Sequence, residues 1–275
     1  MWSGPRNLST ALMRAWENRP DTAVVDEPLY AFYLARTGLD HPGREAVLAS
    51  QPTDWQVVAE VLTGPVPGGR PIFYQKHMAH HLLREVDRAW LDAPSFRHAF
   101  LLREPRAMLA SLAKVIPHPR VEDTGLPQQA ELFRRFADRA GTPPPVIDAR
   151  DVLADPEGLL RALCAALGVP FDAAMLHWPP GPRATDGVWA PYWYASVERS
   201  TGFEPPREEA AEVPVHLADV LAECEEHYRA LYQHRLTAHH GPRTTDPSCS
   251  SSSTNATATS SSTSTVASST ATRPA

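Results

Sequence analysis

Along the first two hundred or so residues, short apolar runs alternate with longer stretches in which apolar positions recur every three or four residues. The short runs are Ala23-Val24-Val25 and the segments 71–75, 99–102 and 145–147, all rich in β-type side chains. They predict strands. Helical periodicity marks 9–17, 54–62, 106–115 and 128–140. The best-delimited helix follows Asp155: that residue suits an N-cap, Pro156 the first helical position, and Gly168 the position just past the end. A last amphipathic helix is expected over 216–232. Strand–helix alternation of this kind predicts an α/β fold, a parallel sheet with helices on both faces in three layers.

The pattern stops near Gly241. From 248 to 272 nearly every residue is Ser, Thr or Ala, which cannot bury enough apolar area to offset the entropy of ordering. One domain over 1–240 and a disordered tail over 241–275 are expected.

Composition narrows the functional classes. Of 275 residues, 43% are hydrophobic, enough for a real core, and the net charge is −6. No broad basic surface for nucleic acid is expected at that charge. No apolar run approaches the roughly 18 residues of a membrane span, so no membrane partner is expected. Cys164, Cys224 and Cys249 are scattered and odd in number, which reads as reduced thiols and a cytoplasmic setting.

Two segments carry candidate chemistry. Gly4-Pro5-Arg6-Asn7-Leu8-Ser9-Thr10 leads into a helical pattern. A loop feeding a helix N-terminus aims free backbone N–H groups at one point, where the helix dipole also favours an anion. Arg6 adds a forked cation, and Ser9 and Thr10 add hydroxyls. The same residues also suit a plain helix start capped by Asn7 or Ser9. In the second segment, Arg103 ends a predicted strand, Pro105 opens a helix, and Ser111 follows Arg103 by eight residues. Strand ends are where ligands bind in open α/β sheets. A surface arginine ahead of a helix is the alternative.

Together these residues resemble the sulfotransferase superfamily. Its phosphosulfate loop, Pro-Lys/Arg-Ser-Gly-Thr-Thr, is matched by Pro5-Arg6-Asn7-Leu8-Ser9-Thr10, and its 3′-phosphate motif by Arg103, Pro105 and Ser111. Ala166-Leu167-Gly168-Val169-Pro170 is similar to a third family segment. More narrowly, residues Trp2 and Ser3 with the loop, Asp26-Glu27-Pro28, and Trp193-Tyr194-Ala195 resemble a little-characterised sulfotransferase-like family also found beside or fused to aminotransferase-like domains.

The resemblance implies a P-loop NTPase-like sulfotransferase fold and the co-substrate 3′-phosphoadenosine 5′-phosphosulfate. The loop Pro5 to Thr10 would hold the phosphosulfate, Arg6 would stabilise the leaving oxygen, and Arg103 and Ser111 would hold the 3′-phosphate. Arg183 or Arg199 would stand in for the family's C-terminal Lys-Gly pair. The sulfuryl group would pass to a hydroxyl or amine of an unidentified small-molecule acceptor, with no metal. Two strand-end residues resemble the family's acceptor bases, Glu27 and His77, and His80 and His81 are expected on a helix surface. Leu8 departs from the family's loop glycine. Only Met1, Trp2 and Ser3 precede Gly4, so a shortened first strand is expected. The aromatics Trp178, Trp189, Tyr192, Trp193 and Tyr194 are expected in an irregular loop, as core anchors or as walls of an acceptor site. The alternatives are a small-molecule kinase, which the absence of a loop lysine disfavours, and a catalytically inactive nucleotide-binding protein. The oligomeric state is left open.

Overall fold

A computed structural model describes residues 1–206 and 211–238. The expected tail from 241 lies outside the described residues. Five parallel strands, β1 (Trp2–Ser3), β2 (Thr22–Asp26), β3 (Ile72–Met78), β4 (Phe100–Leu102) and β5 (Val146–Asp148), form one sheet in the order β2-β3-β1-β4-β5. The chain leaves β1 toward one edge, returns through β3, and crosses to β4 on the other side. The C-terminal end of β1 therefore sits where the winding reverses, the usual ligand crevice of such sheets.

The helices are α1 (Ser9–Glu17), α2 (Tyr30–Thr37), α3 (Arg44–Ser50), α4 (Trp55–Thr63), α5 (Pro105–Leu112), α6 (Leu126–Ala140), α7 (Ala149–Ala154), α8 (Pro156–Leu167), α9 (Ala190–Trp193), α10 (Ala195–Arg199) and α11 (Ala218–Tyr232). The helix after Asp155 starts and stops as its sequence predicts. The Asp155 carboxylate accepts from Gly158 N–H at 3.0 Å, and Gly168 closes it at φ 72°. α3 had no clear periodic signal in the sequence.

Alternating strand residues divide the core. Trp2, Phe100, Leu102 and Val146 face one side with α5, α6 and α11. Leu101 and Ile147 face the other with Leu12, Met13 and Trp16 of α1 and Leu159, Leu160 and Leu163 of α8. β1 is only two residues long yet central: Trp2 is level with both His77 and Phe100.

One expectation is corrected here. His80 and His81 are not surface helix residues. They lie in a short turn after β3, 9% and 2% exposed, with His81 stacked on Tyr30 and on Tyr33 at 4.7 Å each. The strand continues further than 75, so the turn falls under α2 rather than on the outside.

Three buried histidines, His77, His80 and His81, and the half-buried His98 have an acid consequence. Burial pulls His80 down to about 3 and His98 to about 4, and it pulls His77 and His81 well below their usual value. The unfolded chain then binds more protons than the folded one below about pH 6.5. Stability is fully present above that pH and is lost as pH falls toward 4, at up to about 1.4 kcal/mol per pH unit for each histidine. Urea unfolding at pH 7.5, 6.5 and 5.5 checks this. A midpoint that does not fall with pH would count against it.

Candidate active site

The loop after β1 is held by tight contacts. A side chain on Gly4 would bring its Cβ to 2.4 Å from the Thr124 carbonyl oxygen, so only glycine fits. Buried Gln129 bridges the Gly4 N–H and the Leu101 oxygen at 3.3 Å each, with its amide in the orientation that satisfies both. Asn7 does not cap α1. Its Nδ2 donates to Leu101 O at 3.1 Å and its Oδ1 accepts from Leu8 N–H at 2.7 Å, which ties the loop to β4. α1 starts at Ser9 without a side-chain cap, so its first N–H groups remain turned toward the loop.

The two candidate anion segments meet. Arg6 Nε donates to Ser111 Oγ at 3.0 Å, and the Arg103 guanidinium donates to the Arg6 carbonyl oxygen. Residues a hundred positions apart thus form one basic, hydroxyl-bearing edge above β1 and β4. Pro5, Leu8 and Thr10 are partly buried in it, and Ser9 is buried.

Beside this edge lies a buried ionic cluster. Lys76 Nζ donates to Asp26 Oδ1 at 2.9 Å, Glu27 Oε1 at 2.8 Å and the Tyr194 hydroxyl at 2.6 Å. Tyr194 in turn donates to Asp26 Oδ2 at 2.7 Å, which also accepts from Gly187 N–H at 3.1 Å. Side-chain exposure is 1% for Lys76, 2% for Asp26 and 12% for Glu27. Burial lowers the Lys76 ammonium, but Asp26 and Glu27 outweigh it and hold the lysine well above its usual pKa. Burial pushes the Glu27 carboxyl up, and neighbouring Asp26 adds to this against the pull of Lys76.

Among the described residues, the two non-glycine residues at positive φ are Arg6 at 52° and Glu27 at 40°. Both are candidate site residues. Such backbone costs about 1–3 kcal/mol and persists where the surroundings over-determine it, commonly at functional sites. The strand register sets their spacing. Glu27 follows Asp26, which is level with Lys76, and Trp2 is level with His77. Glu27 is therefore about 10 Å, two strand spacings, from the root of the anion loop.

The structure separates the two candidate bases. Successive strand residues point to opposite faces. Lys76 faces Asp26 and Glu27, whereas His77 turns to the far side, stacked on Trp2 at 4.4 Å with Nε2 at 3.1 Å from Gln75 Oε1. Buried there, it does not join Glu27. Arg183 lies in the loop before α9, with its N–H on Asp186 Oδ2 at 2.8 Å and its guanidinium on Pro179 O at 3.1 Å. Arg199 ends α10 and is exposed. No contact joins either arginine to Arg6 or Arg103 among the described interactions.

Sequence reasoning missed the Lys76 bonds and the part of Tyr194. It also missed Arg14, which makes a two-bond pair with Asp186 at 2.6 and 2.7 Å. The only signals were the adjacency of Lys76 to His77 and a cluster of aromatics. Of those aromatics, Trp178, Trp189 and Tyr194 are buried anchors, while Tyr192 is 55% exposed. The segment is less irregular than expected, since it holds α9 and α10. Among the described residues no group of three or more His, Cys, Asp or Glu side chains is placed to hold a metal ion, and no helix is long and apolar enough to cross a membrane.

A family model described as "Sulfotransferase domain" matches residues 1–235. Two curated Arabidopsis thaliana proteins, branched-chain-amino-acid aminotransferase-like proteins 1 and 2, are 40% and 36% identical over 234 residues, 85% of this chain. The chain spans 41% of the length of each. Among solved structures, the sulfotransferase domain of the Synechococcus PCC 7002 olefin synthase is 19% identical with a TM-score of 0.48, covering 81% of this chain and 92% of that one. A sulfotransferase from Alicyclobacillus acidocaldarius is 17% identical with a TM-score of 0.47, covering 86% and 95%.

Proposed function

Since the chain belongs to the sulfotransferase domain family, we propose that it moves a sulfuryl group from 3′-phosphoadenosine 5′-phosphosulfate to a hydroxyl or amine of a small acceptor. The observation that carries this reading is the meeting of Arg6, Ser111 and Arg103 above the start of α1. A donor with two separated anionic groups calls for two cationic points, and this edge has them.

In this reading the N–H groups at the start of α1 and the Arg6 fork hold the phosphosulfate, and Arg103 and Ser111 hold the 3′-phosphate. The S–O bond to the donor phosphate breaks as the acceptor oxygen or nitrogen bonds to sulfur. Arg6 stabilises the charge growing on the leaving oxygen. Glu27 takes the acceptor's proton. No metal is required, because a sulfuryl group carries less negative charge than a phosphoryl group and the arginines meet it. The loop has no lysine of the kind a kinase uses. Cys164 and Cys224 are free buried thiols, which goes with a cytoplasmic setting.

Arg103→Ala tests the assignment. It should weaken adenosine 3′,5′-bisphosphate by about 10- to 100-fold, the worth of a charge-assisted hydrogen bond, and leave adenosine 5′-phosphate nearly unchanged. Calorimetry on both ligands decides it. Equal losses would place Arg103 elsewhere, and tight binding of ATP with magnesium instead of the bisphosphate would favour a kinase.

A further inference from the structure

We propose that Asp26, Lys76 and Tyr194 are positioning residues that hold the Glu27 carboxylate in place and select it as the one proton acceptor of their cluster. The proposal rests on the reading of Glu27 as the acceptor's base.

The cluster holds one ammonium and two carboxylates, nearly all out of water. One carboxylate is in excess, and low-dielectric surroundings make that excess charge easy to protonate. The hydrogen bonds decide which oxygen takes the proton. Asp26 accepts from Lys76, from Tyr194 and from Gly187 N–H, at 2.9, 2.7 and 3.1 Å. Glu27 accepts from Lys76 at 2.8 Å, with Tyr194 further off at 3.5 Å. Bonds to the charged form favour it, and Glu27 receives fewer of them than its neighbour, so the Glu27 carboxyl gains the proton first. Glu27 is also the member that reaches solvent, at 12% side-chain exposure.

All three Lys76 donors are used, so the ammonium has no freedom to turn away. Trp189 Nε1 donates to the Tyr194 hydroxyl at 3.0 Å and fixes it as the hub between cation and carboxylate. The Glu27 backbone is pinned at its positive φ by three bonds. Its N–H donates to Lys76 O at 3.0 Å, and its carbonyl accepts from Tyr30 N–H at 3.0 Å and Gln51 Nε2 at 3.2 Å. The side chain has little choice of direction.

Charged and titratable groups of the neighbouring elements surround the cluster. Arg14 on α1 is neutralised by Asp186, with Glu17 at 3.6 Å beside it. Tyr30 on α2 is kept protonated by burial and by Glu27, with its hydroxyl on His41 Nδ1 at 2.9 Å. His81, in the turn after β3, is kept neutral by burial and its neighbours.

The test is a carbon-13 NMR titration of glutamate side-chain carboxyl carbons in the full chain, with the Glu27 signal identified by its loss in Glu27→Gln. Asp26→Asn leaves Glu27 as the only carboxylate on Lys76, and its midpoint should fall by about 1–3 pH units. Lys76→Met removes the cation, and the midpoint should rise by a similar amount. Tyr194→Phe takes a donor from Asp26 and frees Lys76 for Glu27, so the midpoint should fall. A purely structural role would not move the signal in opposite directions. A midpoint unmoved in Asp26→Asn, or moved the same way in Asp26→Asn and Lys76→Met, overturns the proposal. Should Lys76→Met fail to fold, Asp26→Asn decides alone. An unchanged midpoint in Tyr194→Phe removes Tyr194 from the set. The titration needs no acceptor, so its outcome is separate from the base reading: full transfer activity in Glu27→Gln would sink the base role and leave the titration result standing.

Discussion

Replacing Glu27 with glutamine is expected to slow sulfuryl transfer by about 10²–10⁴-fold, the usual worth of a positioned general base, while the protein stays folded. The amide keeps an oxygen for Lys76, which donates to Glu27 Oε1 at 2.8 Å, so the cluster loses little shape. It cannot take a proton. In the unaltered protein the rate should have a matching pH signature. The base must be ionised, and burial raises the Glu27 pKa. Activity should therefore be full above that raised value and fall as pH drops through it, at a pH higher than the ~4.3 of an ordinary glutamate. The measurement is adenosine 3′,5′-bisphosphate released from the donor in the presence of an alcohol acceptor, against pH. A Glu27→Gln variant with the same rate and the same acid limb would exclude Glu27 from the chemistry. His77 would not inherit the role, because it faces the other side of the sheet against Trp2.

Arg6→Ala should reduce the same rate by about 10²–10³-fold, which is some 3–4 kcal/mol of barrier. Arg6 is exposed and contributes no core packing, so melting temperature should not fall. Its backbone sits at φ 52°, which costs alanine as it costs arginine, and the side-chain bond that is lost, to Ser111, is an exposed one, so the fold loses little. The loss should appear mainly in kcat, since a charge that grows on the leaving oxygen is met more strongly in the transition state than in the bound donor. A variant within about twofold of the parent, or one that loses only donor affinity, would show that Arg6 binds without assisting transfer.

How far these sites could be read from the sequence differs from residue to residue. The loop into α1 was legible because its signal is local: a Gly-Pro-Arg-Asn turn running straight into a helical period. The helix from Asp155 to Gly168 was legible for the same reason, its cap, proline and closing glycine all lying within one segment. The partners of Glu27 were not. Lys76 is 49 residues from it and Tyr194 is 167, and no local pattern binds them. The buried state of His80 and His81 was also hidden, because a histidine pair after a strand looks alike whether a helix covers it or not.

By itself the sequence determined the class of fold, the loop that feeds α1 and the position of Arg103 between a strand and a helix, because periodicity, turn chemistry and caps act over a few residues. Tertiary structure alone decided which of these residues meet. Parallel strands joined by long crossovers place side by side residues that are fifty to more than a hundred and fifty positions apart. The two-residue period of β3 then sent Lys76 to the Glu27 face and His77 to the opposite one. That one alternation, invisible until the neighbours of each face are known, separates the base candidate held in an ionic cluster from the histidine stacked in the core.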